Sequence, residues 1–240
     1  MKLVHKIFYI VGAVILVGST TLLAKDIHAK DIITKAQTYL GSLDKYAFDA
    51  VIYDTYSENN TQVFKLKHEV SVKLIRPDKL RIDVKGDTKD RTNYLLDGKY
   101  TMVDHTFGYY GEIKVQKNID DALDFLIKAF GINAPLTSLL YQDMPKRTRF
   151  DKSKSFGVVD VGDIPCHYVA FKNNKREVHI WITTGDAPLV KSYSVIDTTT
   201  KKHLRIDSSI KWKDASTIQA SDFVFTPSED LMKIPVESAN

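Results

Sequence analysis

The chain has 240 residues, of which 43% are hydrophobic and 27% are charged, so it resembles an ordinary globular domain and not a disordered or low-complexity chain. Lysine and arginine number 34 against 30 acidic residues, and the two signs are interspersed, which does not favour a nucleic-acid-binding protein. The single cysteine, Cys166, excludes an internal disulfide and any Cys-x-x-Cys redox or zinc site.

The N-terminal segment has the three parts of a secretory signal peptide. A basic start with Lys2 and Lys6 is followed by an uncharged apolar run over residues 7–17 and then by small and polar residues. Cleavage is expected after Ala24 or Ala29. The uncharged stretch is close to the lower length limit of a spanning helix, so an uncleaved inner-membrane anchor is the alternative. Both interpretations predict a protein exported to the periplasm.

The first element after this segment is a predicted helix. Residues 31–43 place apolar side chains at helical spacing, with Asp31 as the expected N-cap. Residues 46–56 are rich in aromatic and β-branched residues and predict a strand, which Asn59 and Asn60 end in a turn.

The clearest predicted strand covers residues 64–74, where apolar and charged side chains alternate, so one face of the sheet is expected to meet water. The same alternation returns in residues 80–84. Asp97-Gly98 between two apolar runs predicts a tight hairpin turn, and residues 109–115 predict a short strand.

A helical insert is predicted in the middle of the chain. Residues 118–131 begin with a good N-cap residue, Asn118, and close with a glycine, Gly131. Residues 135–141 are compatible with a second short helix. The apolar stripe predicted for the first of these helices consists of Ala122, Phe125, Leu126, Ala129 and Phe130.

Further strands are predicted at residues 157–161, 166–171, 178–182, 189–196, 203–212 and 222–225. Roughly ten short strands with a leading helix and a mid-chain insert favour an α+β fold, in which a strongly curved antiparallel sheet covers the helices. We predict that residues 1–29 form the signal peptide or uncleaved anchor and that residues 30–240 form one domain.

No common catalytic, phosphate-binding or dinucleotide-binding motif is present in the sequence. His167 and His179 are the best candidates for a metal site, but a register that sets His167 opposite Ile180 places them on different faces. Asp120 and Asp121 are better explained by the favourable charge at a helix N-terminus. We therefore predict a protein that is not an enzyme and has no catalytic residue, metal or cofactor.

Three segments, in chain order, resemble the LolA/LolB lipoprotein-localisation superfamily of bacterial periplasmic carriers. They are VKLIRPDKLRID at residues 72–83, the hairpin YLLDGKYTMVD at residues 94–104 and DFVFTPSEDLMKI at residues 222–234. Within the superfamily the chain is most similar to a family of predicted periplasmic proteins of unknown function. Members of that family share the insert ALDFLIKAFGINAPLTSLLY, the segment VGDIPCHYVAFK and the strand HIWI.

The resemblance implies an unclosed β-barrel whose concave apolar face is covered by helices and, in the carrier members, receives the acyl chains of a lipoprotein. It also implies that Arg76, the arginine of the Arg-Pro motif, forms hydrogen bonds with the covering helices and so holds them closed as a lid. Carbonyl groups in the first helix or in the insert that starts at Asn118 are the expected partners. The chain departs from the carriers at Leu80, where some members have an aromatic residue, and in the helical insert.

The inward-facing strand positions would form a large apolar patch if they were exposed, so helices, a ligand or both must cover them. We predict a non-enzymatic carrier or chaperone for a lipid or lipoprotein acyl chain. The alternative is a self-filled cell-envelope module for protein interaction or sensing, with a protein partner. A monomer that binds no nucleic acid is expected in either case. The predicted ligand-binding residues are Phe64, Leu66, Val70, Val72, Leu80, Ile82, Phe125 and Phe130.

Overall fold

The computed structural model describes residues 28–58, 61–131, 136–199 and 202–237. Nearly all of the predicted signal peptide, residues 1–29, therefore lies outside the described residues, and so do Asn59 and Asn60 of the predicted turn. In the part of the chain that is described, no helix combines the length and the apolar character needed to cross a membrane.

Twelve strands and a small number of helices make up the described residues. The strands are β1 (Lys45–Glu58), β2 (Thr61–Ile75), β3 (Lys79–Gly86), β4 (Lys89–Leu96), β5 (Lys99–Asp104), β6 (Tyr109–Lys114), β7 (Lys152–Val161), β8 (Ile164–Lys172), β9 (Arg176–Thr183), β10 (Val190–Asp197), β11 (Lys202–Lys213) and β12 (Met232–Lys233). The α-helices are α1 (Ala29–Ser42), α2 (Ile119–Phe130) and α3 (Met144–Arg147), and short 3-10 helices cover Thr137–Leu139, Ala215–Thr217 and Ala220–Phe223.

All twelve strands belong to one sheet in the order β12-β6-β5-β4-β3-β2-β1-β11-β10-β9-β8-β7. Every neighbouring pair is antiparallel except β12 with β6, which is parallel. Because β7 and β12 do not meet, the described strands do not close into a barrel. The predicted α+β fold with an unclosed, mostly antiparallel sheet is confirmed.

Strand β1 lies at the centre of the sheet and joins its two halves. On one side β1 pairs with β2, and on the other it pairs with β11, in a register that runs from Ala47 opposite Lys213 to Glu58 opposite Lys202. The strands β1–β6 form one meander and β7–β11 form the other. The insert that contains α2 and α3 connects the two meanders.

The local turn and cap predictions are confirmed in the hairpin and in α2. Asp97 and Gly98 both have positive φ, 48° and 76°, as a two-residue hairpin turn matched to the sheet twist requires. The Asn118 side chain accepts the backbone N–H of Asp121 at 2.8 Å, and Gly131 ends α2 with φ 65°.

The start of α1 differs from the prediction. The helix begins at Ala29, with His28 and not Asp31 in the N-cap position. The His28 carbonyl accepts the N–H groups of Asp31 and Ile32, so the first turn forms without a side-chain cap. Ala29 is buried in the core, which explains why the helix extends beyond the periodic residues that marked it.

The predicted terminal strand over residues 222–225 is wrong, because this stretch contains a 3-10 helix, Ala220–Phe223. The Asp222 carboxylate accepts the backbone N–H of Gln219 at 2.8 Å and an N–H of the Lys73 ammonium at 2.6 Å. These two contacts favour a turn over an extended chain, and Phe223 is buried beneath it. The last strand is instead the short β12.

The core lies between the concave face of the sheet and the helices. Alternate strand residues point to this face, as the period of two requires. Phe48 of β1 is fully buried and its ring centroid lies 5.0 Å from that of Trp212 on β11. Other large, fully buried members on the strands are Ile52, Val72, Leu74, Phe171, Ile182 and Ile210.

We predict that Phe48→Ala lowers the free energy of unfolding by about 3–5 kcal/mol, because the change leaves a cavity in the core where β1 meets β11. Urea unfolding followed by circular dichroism measures the change. The matched control is Phe107→Ala, whose side chain is 67% exposed and whose effect should stay within about 0.5 kcal/mol. Equal losses in the two variants would contradict a central role for Phe48.

Candidate functional site

An apolar cavity of about 590 Å³ lies between the helices and the C-terminal half of the sheet. This volume is within the range of small-molecule binding sites. The helical side includes Ile33, Ala36, Gln37 and Leu40 of α1, Ile127 of α2, and Leu139, Tyr141, Met144 and Phe150 of the insert; the sheet side includes Val178, Ile180, Val190, Tyr193, Val195, Leu204 and Ile206.

Helical and strand periodicity place these side chains together. On α1, Ile33, Ala36, Gln37 and Leu40 follow the three- and four-residue spacing of one helix face. On the strands, every second residue of β9, β10 and β11 faces the helices. The pairing of β9 with β10 is irregular between Val190 and Ser192.

One rim of the cavity is held by the Arg147 cluster, which consists of Asp124, Tyr141, Asp143 and Arg147. Arg147 donates two hydrogen bonds to the Asp124 carboxylate, at 2.8 and 2.9 Å, and one to Asp143. Its guanidinium lies 4.1 Å from the centroid of the Tyr141 ring, whose hydroxyl donates to Asp124 at 2.9 Å. The cluster therefore ties α3 to α2 beside the cavity.

The electrostatics of the cluster follow from these contacts. The hydrogen bond from Arg147 lowers the pKa of Asp143. Burial and the neighbouring Asp124 raise the pKa of Tyr141, which stays a neutral donor. A further hydrogen bond, from Gln37 Nε2 to Thr148 Oγ1 at 2.8 Å, joins α1 to the end of α3 beside the cavity.

Arg76, at the end of β2, connects the insert to the sheet. Its side chain is only 6% exposed, and Nη2 donates to the Leu140 carbonyl at 3.1 Å and to the Tyr46 hydroxyl at 3.4 Å. Nη1 lies 3.7 Å from the Asp120 carboxylate. Of the two predicted partner groups, Arg76 thus contacts a carbonyl of the insert. Its operation as a lid stays a prediction.

Asp120 and Tyr46 complete this connection. The Asp120 carboxylate accepts the backbone N–H of Gln142 at 3.0 Å, and the Tyr46 hydroxyl donates to the Leu139 carbonyl at 2.6 Å. Burial raises the pKa of Asp120, and its backbone hydrogen bonds and Arg76 oppose that increase. Asp120 therefore holds the insert as well as standing in the first turn of α2.

The residues predicted as ligand contacts lie outside the lining of the cavity. Val70, Val72 and Leu80 are buried in the core, whereas Phe64 is 47% exposed and stacks on Tyr56 at the far end of β2. The other four, Leu66, Ile82, Phe125 and Phe130, are partly buried. The binding role of all eight stays a prediction, and the structure offers β9–β11 as a different candidate site.

The orientation of α2 explains part of this difference. Its sheet-facing residues are Ile119, Ala122 and Leu123, which belong to the core cluster. Phe125 and Phe130 instead contact each other edge to face, with ring centroids 6.0 Å apart. In the sequence, the cavity-lining residues of β9–β11 show only the ordinary alternation of strand residues. That alternation does not indicate which part of the concave face remains open.

The predicted register of the two histidine-bearing strands is wrong by two residues. His167 lies opposite Ile182, not Ile180, because the hairpin loop is longer than two residues: the Asn173 carboxamide oxygen accepts the N–H groups of Lys175 and Arg176. In the described residues, no group of three or more His, Cys, Asp or Glu side chains is placed to hold a metal ion.

We predict that Arg76→Leu lowers the free energy of unfolding by about 2–3 kcal/mol and accelerates amide exchange in residues 136–142, because it removes the buried donor to Leu140. Urea unfolding and hydrogen exchange measure the two effects. The matched control is Arg91→Leu, which breaks a partly exposed pair with Asp104 and should cost at most about 1 kcal/mol. Unchanged exchange in residues 136–142 would contradict a tie between Arg76 and the insert.

Acid is expected to loosen the Arg147 cluster. The pKa of Asp143 is lower in the folded protein than its ordinary 3.8, so its contribution is present above that value and is lost as pH falls through the lowered folded-state pKa. We predict that lowering the pH from about 6 to about 3 raises amide exchange in residues 143–148, after correction for the intrinsic rate.

The control for this pH effect is a comparison of two variants. Arg147→Met should give rapid exchange already at neutral pH and little further pH dependence. Lys172→Met, which removes a similar pair with Glu177 on the sheet, should behave as wild type. A wild-type pH profile in Arg147→Met would show that the pair of Arg147 with Asp143 does not hold α3.

Comparisons with known proteins identify a family and several solved structures to which this chain is similar. No curated protein matches the chain. An uncharacterized conserved protein from Thermus thermophilus is 8% identical with a TM-score of 0.51, over 87% of this chain and 99% of that chain, and shows the fold alone. Lipoprotein LppX of Mycobacterium tuberculosis is 8% identical with a TM-score of 0.45, over 80% and 97%. A LolA superfamily protein from Nitrosomonas europaea is 8% identical with a TM-score of 0.36, over 83% and 98%.

A family model described as "Predicted periplasmic protein (DUF2092)" matches residues 29–237. The match runs from the first residue of α1 to a point beyond β12, so it includes the whole sheet and all three α-helices. The similarity to a family of predicted periplasmic proteins and the periplasmic localisation, both predicted from the sequence, are confirmed, and the chain belongs to this family.

Proposed function

We propose that this protein binds the acyl chain of a lipid or lipoprotein in the cavity between α1, the insert and β9–β11, as a non-enzymatic periplasmic carrier or chaperone. The observation that carries the proposal is the cavity itself, about 590 Å³ with mainly aliphatic and aromatic walls. The neighbouring part of the concave face is filled by the side chains of α1 and α2.

The energy of acyl burial is adequate for this role. Transfer of each methylene from water contributes roughly 0.8 kcal/mol, so about ten methylenes contribute on the order of 8 kcal/mol. Losses of translational and conformational freedom offset a large part of this gain. The balance favours reversible capture, which suits a carrier, and it requires no covalent step.

The rim offers a route for loading and release. Helix α3 has only four residues and is held by the Arg147 cluster and by the hydrogen bond between Gln37 and Thr148. These contacts are polar and partly exposed, so water can replace them at modest cost. In the proposed cycle, movement of α3 away from α1 admits the acyl chain while the sheet keeps its shape.

A second candidate function is a protein-interaction module, and a feature of the outer face of the sheet favours it. Phe156, Tyr168 and Trp181 stack across β7, β8 and β9, with ring centroids 4.5 and 4.8 Å apart. Phe156 and the nearby Val158 are exposed on the edge strand. An exposed apolar edge of this kind is a common place for another protein to bind.

Native mass spectrometry of the protein purified from the periplasm tests the carrier proposal. We predict a lipid adduct in the wild type and a loss of at least about tenfold in its occupancy in Val195→Trp, because the larger side chain fills the cavity. The matched control is Ile82→Trp, which enlarges a residue that faces the same side of the sheet but does not line the cavity.

The other outcomes assign the site differently. Loss of the adduct in Ile82→Trp alone would place the ligand at the residues predicted from the sequence. A wild-type mass without a lipid, together with a co-purifying protein that Phe156→Ala removes, would favour the interaction module.

A further inference from the structure

A row of four polar side chains crosses the apolar concave face of the sheet. The Tyr193 cluster consists of Asp54 on β1, His68 on β2, Tyr193 on β10 and Ser208 on β11. Tyr193 lies directly opposite Ser208, and both Ser208 and His68 lie opposite Ile52 on the central strand. Directly opposed residues of antiparallel strands share a face, so the four groups lie on one side of the sheet.

The cluster borders the cavity. Tyr193 is one of the cavity-lining residues, and Asp54 lies directly opposite another, Ile206. Polar groups on four neighbouring strands are therefore continuous with the apolar wall formed by β10 and β11.

The side chains of the cluster are buried without enough partners. Tyr193 is 5% exposed, Ser208 2% and His68 8%. Among the residues that the structure describes, Asp54 Oδ1 and the hydroxyls of Tyr193 and Ser208 make no hydrogen bond of good geometry, although the two hydroxyls lie close enough to interact with each other. His68 Nδ1 approaches Asp54 Oδ2 only to 3.8 Å, which exceeds hydrogen-bond length. Folded proteins rarely leave several adjacent buried polar atoms unpaired.

We propose that the Tyr193 cluster is a subsite for the hydrogen-bond-donating head group of an amphiphile whose apolar tail occupies the cavity. The inference rests on the proposed carrier function and adds the chemical class of the ligand. A hydroxyl or an ammonium group meets the requirement, since both donate to oxygen acceptors.

The donor and acceptor inventory supports this class. The Asp54 carboxylate accepts hydrogen bonds only, and the hydroxyls of Tyr193 and Ser208 can accept as well as donate. Burial lowers the pKa of His68 and so favours its neutral form. An anionic carboxylate or phosphate head group also presents acceptor oxygens, so it would find no donor in the Asp54 carboxylate.

A tail-matched series tests the subsite on the purified full-length mature protein. The ligands are 1-decanol, decylamine and decanoate, measured by displacement of the fluorescent probe N-phenyl-1-naphthylamine at neutral pH. We expect the alcohol and the amine to bind about tenfold or more tightly than decanoate, as one additional buried hydrogen bond would give. Because the three tails are the same, the difference reports the head group.

Substitutions then locate the preference. Tyr193→Phe and Ser208→Ala should each reduce the preference for decanol over decanoate to about threefold or less, with little change for decanoate. Asp54→Asn should weaken decylamine more than decanol, which separates an ammonium ligand from a hydroxyl ligand. Thr101→Ala is the matched control, because it removes a buried hydroxyl on β5 that does not line the cavity. Thermal unfolding of each variant verifies that it is folded.

The outcomes separate the two proposals. Equal binding of all three ligands, or a preference that survives both Tyr193→Phe and Ser208→Ala, would overturn the subsite and leave the carrier function in place. A preference that survives both substitutions would mean that water forms the missing hydrogen bonds of the cluster. Failure of every ligand to displace the probe from a folded protein would overturn both proposals.

Discussion

The pairing of β1 with β11 is the interaction on which the rest of this structure depends, because it makes one sheet out of two meanders. Without it, each half would present a long unpaired edge, which is unfavourable in water and prone to association. The same pairing brings Phe48 against Trp212 in the core and sets Ser208 beside the central strand. Both the stability of the domain and the geometry of its concave face therefore follow from a single strand pair.

The two halves of the concave face are covered differently, and this difference creates the candidate site. Over β1–β3, the apolar face of α2 belongs to the same buried cluster as Phe48, Val72 and Leu80. Over β9–β11, the covering elements are one face of α1 and the short turns of the insert, which leave a cavity. Arg76 of the sheet holds the insert at the Leu140 carbonyl, and Arg147 ties α3 to α2 within the insert, so polar contacts add to the apolar packing of α2 in setting its position.

Much of the fold could be predicted from the sequence, because strand alternation, the Asp97-Gly98 turn and the caps of α2 depend on neighbouring residues. The 3-10 helix at Asp222 could not, since the Lys73 that stabilises it is distant in the chain. The site was harder still to predict. Periodicity indicates which side chains point to the concave face, but it does not indicate where a helix will lie on that face, so Leu80 and Ile82 were indistinguishable from Val178 and Val195.

The central strand pair also has a consequence for the order in which the protein is assembled. Its register joins Ala47 to Lys213, so the middle of the sheet cannot form until most of the chain has left the ribosome. Pairings between such distant segments form slowly. A periplasmic protein must pass through the inner membrane, and a sheet that cannot be completed early leaves the emerging chain open for transport. The topology that stabilises the folded domain thereby delays completion of the sheet until β11 is available.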